Sequence, residues 1–341
     1  MGVKSQLLRL LMDNRCEYIS GETLAHKLVV SRNAIWKAVE SLRAEGYRIS
    51  AMTNKGYRLE ENGDIITEAG LTGFIKNTGV FQVDIRKSVT SSNSVLRELA
   101  SKGAPEGYVL IAEEQTAGKG RLGRSFHSPG GHGVYFSLLL RPGDRAFGSD
   151  HGPQSAISGA GDTSLITAAA AVATAQAIEE FTGVHAGIKW VNDLFVNGKK
   201  VCGILTEAVF SMESGMMESA VLGIGINITR AEEGFPEMLE GIAGTLTDRA
   251  TGGDGERCRI IAATLDYFWK YYKSLSSREF LDEYRERSIV TGRDIMVLSG
   301  GGQRIARALY VDDNCGLVVR YEDGETATLV SGEVSIRQQL L

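Results

Sequence analysis

The sequence predicts an α+β protein in three parts: an N-terminal winged helix-turn-helix over residues 1–63, a central α/β domain with a mixed sheet over 64–287, and a small C-terminal β-barrel over 288–341. Three observations predict it. Two capped helical segments and a hairpin pattern open the chain, a glycine-rich loop separates two apolar strands in the middle, and short strands alternate with glycine turns at the end. A chain of 341 residues is long enough for two or three domains.

Charge is distributed unevenly along the chain. The first 60 residues hold ten Lys/Arg and six Asp/Glu, so that they carry +4, while the whole chain carries −5 and the remainder therefore −9. A basic head on an acidic body predicts that the head alone meets a polyanion.

The cysteine pattern and the hydropathy indicate the cellular compartment in which the protein is expected. Cys16, Cys202, Cys258 and Cys315 lie far apart without a C-x-x-C pair, which predicts reduced, packed thiols and neither a zinc site nor a disulfide framework. The chain has no apolar run of signal-peptide or membrane-spanning type, so we expect a cytoplasmic protein without a membrane partner.

The head begins with a helical pattern over residues 3–13, followed by two shorter helices that Ser20 and Ser31 are placed to cap. In the second of these helices Ile35, Val39 and Leu42 share one face. The other face predicts DNA contacts in a major groove, through Ser31, Arg32, Asn33, Trp36 and Lys37. Residues 47–50 and 56–59 alternate as the strands of a wing. The alternative is a helical dimerisation or packing module.

The centre of the chain contains a glycine-rich loop. Gly118, Gly120 and Gly123 alternate with Lys119, Arg121 and Arg124, after an apolar strand at 108–112 and before another at 134–140. Glycine lets a ligand approach the backbone, and these cations suit carboxylate or phosphate, so the loop is predicted to close over an anion. The alternative is a solvated surface loop. A strand on both sides argues against a dinucleotide-binding turn, which would open a helix.

Further segments complete the central domain. A strand at 85–90 leads into a helix opened by residues 91–94, whose Ser and Asn side chains either cap the helix or bind a neutral polar group. Asn197-Gly198 predicts a tight hairpin turn, and 220–227 a strand with glycines. An alanine-rich helix is expected at 165–181, amphipathic helices with core aromatics at 257–287, and a surface insertion between 142 and 163.

Several motifs resemble the biotin–protein ligases. They are the run from Gln115 to Arg124 with Ser128-Pro129, Lys189-Trp190-x-Asn192-Asp193, Lys200-x-x-Gly203-Ile204-Leu205, and Gly223-x-Gly225-x-Asn227. In the head, Gly21-Glu22-x-Leu24, Ser31-Arg32-x-Ala34-Ile35-x-Lys37 and Gly56-Tyr57-x-Leu59 resemble the bifunctional ligase–repressors of this family. Lys119 stands where the family has arginine, Val191 where it has proline, and Ser92 where it has threonine.

The resemblance implies a class II synthetase-like central domain and an SH3-like C-terminal barrel. It implies that ATP with Mg²⁺ activates biotin to biotinyl-5′-AMP, and that the biotinyl group passes to a lysine of a biotin carboxyl carrier protein. It also implies repression of biotin-synthesis genes, with biotin as the precursor of the co-repressor and an adenylate-promoted homodimer on operator DNA.

Roles for individual residues follow from the same resemblance. Catalytic roles are expected for Arg121, Lys200 and Asp193. Biotin binding is expected of Ser91, Ser92, Asn93, Gln115, Lys119, Gly120, Arg121 and Lys200. ATP binding is expected of Arg121, Arg124, Asn192, Asp193 and Asn227. Two alternatives remain at this point: a lipoate-type protein ligase, and a ligand-sensing repressor without catalysis.

Overall fold

The computed structural model describes residues 2–14, 17–60, 64–142, 160–213, 215–247, 255–299 and 302–336. Most of the predicted insertion at 142–163 and the fourth cysteine, Cys16, lie outside the described residues.

The head contains three helices and a two-stranded antiparallel wing. Its elements are α1 (Val3–Asp13), α2 (Gly21–Leu28), α3 (Arg32–Ala44), β1 (Ile49–Met52) and β2 (Gly56–Leu59). Both predicted N-caps are present: Ser20 Oγ accepts a hydrogen bond from Thr23 N at 3.0 Å, and Ser31 Oγ accepts one from Ala34 N at 3.2 Å. The predicted core face of α3 is buried, which leaves its polar face to solvent.

The first wing strand begins at Ile49, two residues later than predicted. Tyr47 is buried and its hydroxyl lies 2.8 Å from Thr67 Oγ1, so this residue joins the head to the next segment instead of pairing in the wing.

Sequence reasoning missed a helix, α4 (Glu68–Phe74), directly after the linker. Gly70 and Gly73 lower the helix propensity of this seven-residue segment. Tertiary contact compensates, because a Cβ at Gly70 would lie 2.8 Å from the Tyr47 hydroxyl, and Thr67 caps the helix by accepting from Gly70 N at 3.0 Å. Helix α4 packs on both α1 of the head and a long helix of the central domain, α7 (Glu256–Lys273).

The central domain is built on a seven-stranded mixed sheet in the order β3-β4-β5-β9-β8-β7-β6. The strands are β3 (Gln82–Val89), β4 (Tyr108–Gln115), β5 (Gly133–Leu140), β6 (Gly187–Lys189), β7 (Asp193–Val196), β8 (Lys199–Phe210) and β9 (Met217–Asn227). Strands β3 and β4 are parallel, and the other neighbours are antiparallel. The β7–β8 turn is Asn197-Gly198, both at positive φ, as its sequence predicts.

Helices cover both faces of this sheet, since side chains alternate between faces along a strand. Val109 and Ile111 of β4 pack in the main core, which α7 and the alanine-rich α6 (Ala160–Thr182) close. Between them Leu110 points the other way and packs with Leu96 of α5 (Ser92–Ser101). The short α8 (Leu281–Glu286) follows α7, and the aromatics of both helices are core residues, as predicted.

The C-terminal region is a five-stranded antiparallel sheet in the order β13-β12-β11-β10-β14. Its strands are β10 (Asp294–Ser299), β11 (Gly302–Val311), β12 (Leu317–Tyr321), β13 (Thr326–Leu329) and β14 (Glu333–Ile336). Trp190 joins it to the central domain, since its Nε1 donates to the carbonyl of Cys315 at 2.8 Å.

The three cysteines inside the described ranges, Cys202, Cys258 and Cys315, are free and buried, as predicted. Burial raises the pKa of each thiol, to about 12 for Cys258 and Cys315, so these thiols remain protonated. In the described part of the chain, no helix combines the length and the apolarity needed to span a bilayer.

Candidate active site

A cavity of about 1530 Å³ opens on the central sheet. Every residue that the sequence predicted to bind a small molecule lines it. These residues are Ser91, Ser92, Asn93, Gln115, Lys119, Gly120, Arg121, Arg124, Asn192, Asp193, Lys200 and Asn227. They come from five separate parts of the chain, which the sheet brings to one place.

The glycine loop between β4 and β5 folds back on itself over this cavity. Phe126 N donates to the carbonyl of Gly118 at 2.8 Å, and Gly120 N donates to that of Arg124 at 2.7 Å. A Cβ at position 118 would lie 2.4 Å from the Phe126 carbonyl oxygen, so the closure of this loop requires glycine there.

Arg121 is the loop cation that the structure ties to the rest of the site. Its side chain is half-buried, and its Nη1 donates to Asn192 Oδ1 at 3.0 Å. Asn192 is fixed in turn, because its Nδ2 donates to the carbonyl of Ile204 at 2.8 Å. Among the described residues Arg121 makes no ion pair, so its charge is left for an anion in the cavity. Lys119 and Arg124 are exposed.

A second cation comes from the β7–β8 hairpin. Lys200 Nζ lies 2.6 Å from Asp193 Oδ1, and both side chains are partly buried. The carboxylate therefore holds the ammonium group in place by charge, and the N–H groups of Lys200 can donate to a ligand. Asn227, at the end of β9, donates from Nδ2 to the carbonyl of Gly244 at 3.1 Å, which leaves its Oδ1 to accept.

The other end of the cavity is neutral and polar. Ser91 occupies the N-cap position of α5, but its side chain makes no capping hydrogen bond, contrary to the capping alternative. Gln115 takes over part of that role from β4: its Oε1 accepts from Ser92 N at 2.8 Å and from Ser92 Oγ at 3.1 Å. Ser91, Ser92 and Asn93 are buried in the floor of the cavity.

Apolar groups separate the two ends. The ring of Phe126 lies over the glycines of β8 and β9, since a Cβ at Gly203 would be 3.2 Å from it and one at Gly225 only 2.5 Å. Trp190 also lines the cavity, and the peptide bond between Trp190 and Val191 is cis. Gly203 and Gly225 thus make room for an aromatic wall.

Three polar residues of this site were missed from the sequence: Ser128, Ser137 and Glu207. Ser128 accepts from Gln115 Nε2 at 2.9 Å, and Ser137 and Glu207 contact Asn93. Ser128 belongs to the Ser128-Pro129 motif, whereas the only signal for Ser137 was a serine within an apolar strand, which does not indicate its partners.

The head presents its predicted contact residues to solvent. Ser31, Arg32, Asn33, Trp36 and Lys37 are all exposed on or beside α3, and Trp36 is 52% exposed although it is a large aromatic. An exposed, basic helix face with an aromatic side chain and a basic wing turn suits the nucleic-acid interface that the sequence predicts.

Comparisons with known proteins cover both parts. The family model "Biotin/lipoate A/B protein ligase family" matches residues 85–227, and an "HTH domain" model matches residues 3–58. The chain is 35% identical over 326 residues to the "Bifunctional ligase/repressor BirA" of Bacillus subtilis, and 34% to that of Bacillus spizizenii. Each alignment covers 94% of this chain and 95% of the relative.

Among solved structures, the biotin protein ligase of Aquifex aeolicus in complex with biotin and ATP superimposes with a TM-score of 0.58. It is 26% identical to this chain and covers 76% of it, and 99% of that ligase is matched.

Proposed function

The chain belongs to the family of bifunctional biotin ligase/repressors, and from that premise we propose that it activates biotin with ATP and transfers the biotinyl group to a lysine of a biotin carboxyl carrier protein. The observation that carries the proposal is the gathering of all the sequence-predicted ligand residues around one cavity, cationic at one end and neutral at the other.

In the first step a carboxylate oxygen of biotin attacks the α-phosphorus of ATP. The bond from that phosphorus to the oxygen bridging to the β-phosphate breaks, and pyrophosphate leaves with biotinyl-5′-AMP remaining. Two anions must approach each other, so the site has to supply positive charge. Arg121, Lys119, Arg124 and Lys200 supply it, each charge-assisted hydrogen bond contributing about 1.5–3 kcal/mol.

Arg121 orients the carboxylate and the α-phosphate, because its partner Asn192 is neutral and leaves the guanidinium charge unbalanced. Lys200, held by Asp193, contacts the biotin carboxyl or acyl-phosphate oxygens. Asn192, Asp193 and Asn227 face the nucleotide. Ser91, Ser92, Asn93 and Gln115 form the wall for the bicyclic ring, with Lys119 and Gly120 of the loop covering the ligand.

In the second step the neutral amine of the carrier lysine attacks the acyl carbon of the adenylate. The bond from that carbon to the phosphate oxygen breaks, the nitrogen loses a proton, and AMP leaves. A closed glycine loop keeps water from the same carbon, which would hydrolyse the adenylate.

The residues present suit Mg²⁺ carried by the triphosphate. Over the described ranges, no group of three or more His, Cys, Asp or Glu could hold a metal ion by itself. Asp193 is a carboxylate at the nucleotide side of the cavity and would hold Mg²⁺ together with phosphate oxygens, an arrangement typical of this ion. When bound, Mg²⁺ would neutralise the negative charge of the phosphates.

We propose in addition that the head makes the protein a biotin-responsive repressor. Ser31, Arg32, Asn33, Trp36 and Lys37 read the operator of biotin-synthesis genes, and the adenylate promotes a homodimer that spans two half-sites. A DNA shift assay with operator-length duplex, biotin and ATP tests this. Binding that does not depend on adenylate would contradict the co-repressor part.

We propose three domains for this chain. The domains are residues 1–63, 64–287 and 288–341, the central sheet is class II synthetase-like, and the C-terminal five-stranded sheet is SH3-like. The protein acts in the cytoplasm.

The test of the ligase is transfer of labelled biotin to a carrier domain with ATP, with lipoate as competitor. Biotin transfer that excess lipoate does not reduce is expected; lipoate transfer, or no transfer, would contradict the proposal. In Arg121→Gly the adenylate should escape and label bystander lysines. Tight, selective transfer by this variant would show that Arg121 does not retain the intermediate.

A further inference from the structure

A row of polar side chains runs behind the neutral end of the cavity, from a carboxylate to the glycine loop. Asn93 Nδ2 lies 2.9 Å from Glu207 Oε2, and Asn93 Oδ1 lies 2.7 Å from Ser137 Oγ. Ser137 Oγ lies 2.8 Å from Ser92 Oγ, which contacts Gln115 Oε1 at 3.1 Å. Ser137 is fully buried and does not line the cavity.

The glycine of β9 opposite Ser137 makes this row possible. Gly223 pairs with Ser137 across the sheet, and a Cβ there would lie 2.1 Å from Asn93 Oδ1. The Asn93 amide therefore lies flat on the sheet, with its hydrogen-bonding groups directed at protein atoms.

The direction of each hydrogen bond in the row follows from groups with one fixed role. The Asn93 NH₂ group must face the Leu205 carbonyl, at 3.2 Å, and the Glu207 carboxylate, because both oxygens accept. Asn93 Oδ1 then faces Ser137, so that the Ser137 hydroxyl donates to it. Ser92 N–H can only donate, which places Gln115 Oε1 against Ser92 and Gln115 Nε2 against Ser128.

These assignments leave one orientation for Ser92. Its two hydroxyl partners in the row are Ser137 Oγ, whose hydrogen is used on Asn93, and Gln115 Oε1. Both can only accept, so the Ser92 hydrogen stays within the row, and the lone pair of Ser92 Oγ faces the cavity.

From this geometry we infer that Ser137, acting through Asn93 and Ser92, is a positioning residue that makes the neutral end of the cavity select a ligand with an N–H donor, such as a cyclic urea. The inference rests on the proposed function. A dithiolane ring such as that of lipoate has no N–H, and it would leave the cavity-facing lone pair of the buried Ser92 oxygen without a donor, which is costly. Asn93, which lines the same wall, also holds the Ser137 hydroxyl in this orientation.

The first test uses the wild-type protein in ATP–pyrophosphate exchange. Biotin is compared with biotin methylated at either ureido nitrogen and with lipoate. Methylation of the nitrogen that faces Ser92 should raise KM by about tenfold or more, beyond the effect at the other nitrogen. Equal KM values for biotin and both methylated forms would overturn the inference. If biotin itself supports no exchange, the proposed function fails and the inference with it.

The second test uses Ser137→Ala, which removes the nearer of the two acceptors of the Ser92 hydroxyl and leaves only Gln115 Oε1, at 3.1 Å, to hold its hydrogen away from the cavity. KM for biotin should rise by about 5- to 10-fold, while KM for ATP and kcat stay within about twofold. The preference for biotin over the methylated form should fall, and Ser137→Thr, which keeps the hydroxyl, should restore it. Thr174→Val removes another fully buried hydroxyl and is the matched control. A Ser137→Ala effect of equal size on biotin and on the methylated form would show a merely structural role and overturn the inference.

Discussion

Arg121 and Arg257 differ in whether neighbouring residues balance the charge of the guanidinium group. Arg121 sits half-buried in a glycine loop and donates to a neutral amide. Arg257, at the start of α7, is 3% exposed and pairs with two carboxylates, Glu113 Oε1 at 2.7 Å and Asp64 Oδ2 at 3.6 Å.

Arg257 also holds together three parts of the chain. Its Nη2 donates to the carbonyl of Asp64 in the linker, and its Nη1 to that of Gly133 at the start of β5. Glu113, on β4, in turn accepts from Gly131 N at 3.0 Å. A buried cation whose charge is balanced by the protein serves the fold, whereas a cation left unbalanced beside a cavity is available to a ligand.

The largest effect is expected for Arg257→Met. It removes the side-chain partner of two carbonyls and of the buried Asp64 carboxylate, which keeps only its hydrogen bond from the backbone N of residue 257, and this should lower the free energy of unfolding by about 3–5 kcal/mol. Chemical denaturation measures this, with Arg121→Met as the control that should change stability by less than about 0.5 kcal/mol. Equal losses in the two variants would remove the distinction between the two arginines.

The Asp64 carboxyl gives a pH dependence. Burial raises the pKa of Asp64 from 3.8 to about 6, against the lowering effect of Arg257. The folded state thus favours the protonated form, so its contribution to stability is full below about pH 4 and is lost as the pH rises through 6. The stability of the wild type relative to Asp64→Asn should fall by up to about 3 kcal/mol between pH 4 and 7. A relative stability that increases over this range would mean that the ion pair with Arg257 outweighs the effect of burial.

Next in size is Arg121→Gln, which removes the charge but keeps a hydrogen-bonding amide near Asn192. Loss of one charge-assisted contact, about 1.5–3 kcal/mol, predicts a decrease of about 10- to 150-fold in kcat/KM for biotin. The unfolding midpoint should not change. The kcat/KM for biotin is measured by steady-state adenylation, with biotin and ATP varied separately. An unaltered kcat/KM would exclude Arg121 from the reaction.

The smallest effect is expected for Lys119→Arg. Lys119 is exposed, so the change keeps the charge and adds a planar donor fork. An increase of less than about fivefold in kcat/KM is expected. A loss of activity would show instead that the shorter lysine side chain is required. Lys119→Met removes the charge altogether and so separates the requirement for charge from the requirement for side-chain shape.

Much of the fold was accessible from sequence where local chemistry and pattern agree. The caps at Ser20 and Ser31, the Asn197-Gly198 turn and the apolar face of α3 all follow from short-range preferences. Helix α4 was not accessible, because its two glycines argue against a helix and its packing on α1, α7 and Tyr47 is tertiary.

The sequence by itself determined the residue types of the site: the cations and glycines of the loop, the serines at α5, and the Asn-Asp pair where β7 begins. A motif of a few residues is enough to show which chemical groups are present. Tertiary structure decided which of these groups meet, because Arg121 and Asn192 are 71 residues apart and Asn93 and Glu207 are 114 apart. It also decided the roles of Arg257 and Ser137, since the free energy of a buried polar group depends on partners that no local pattern specifies.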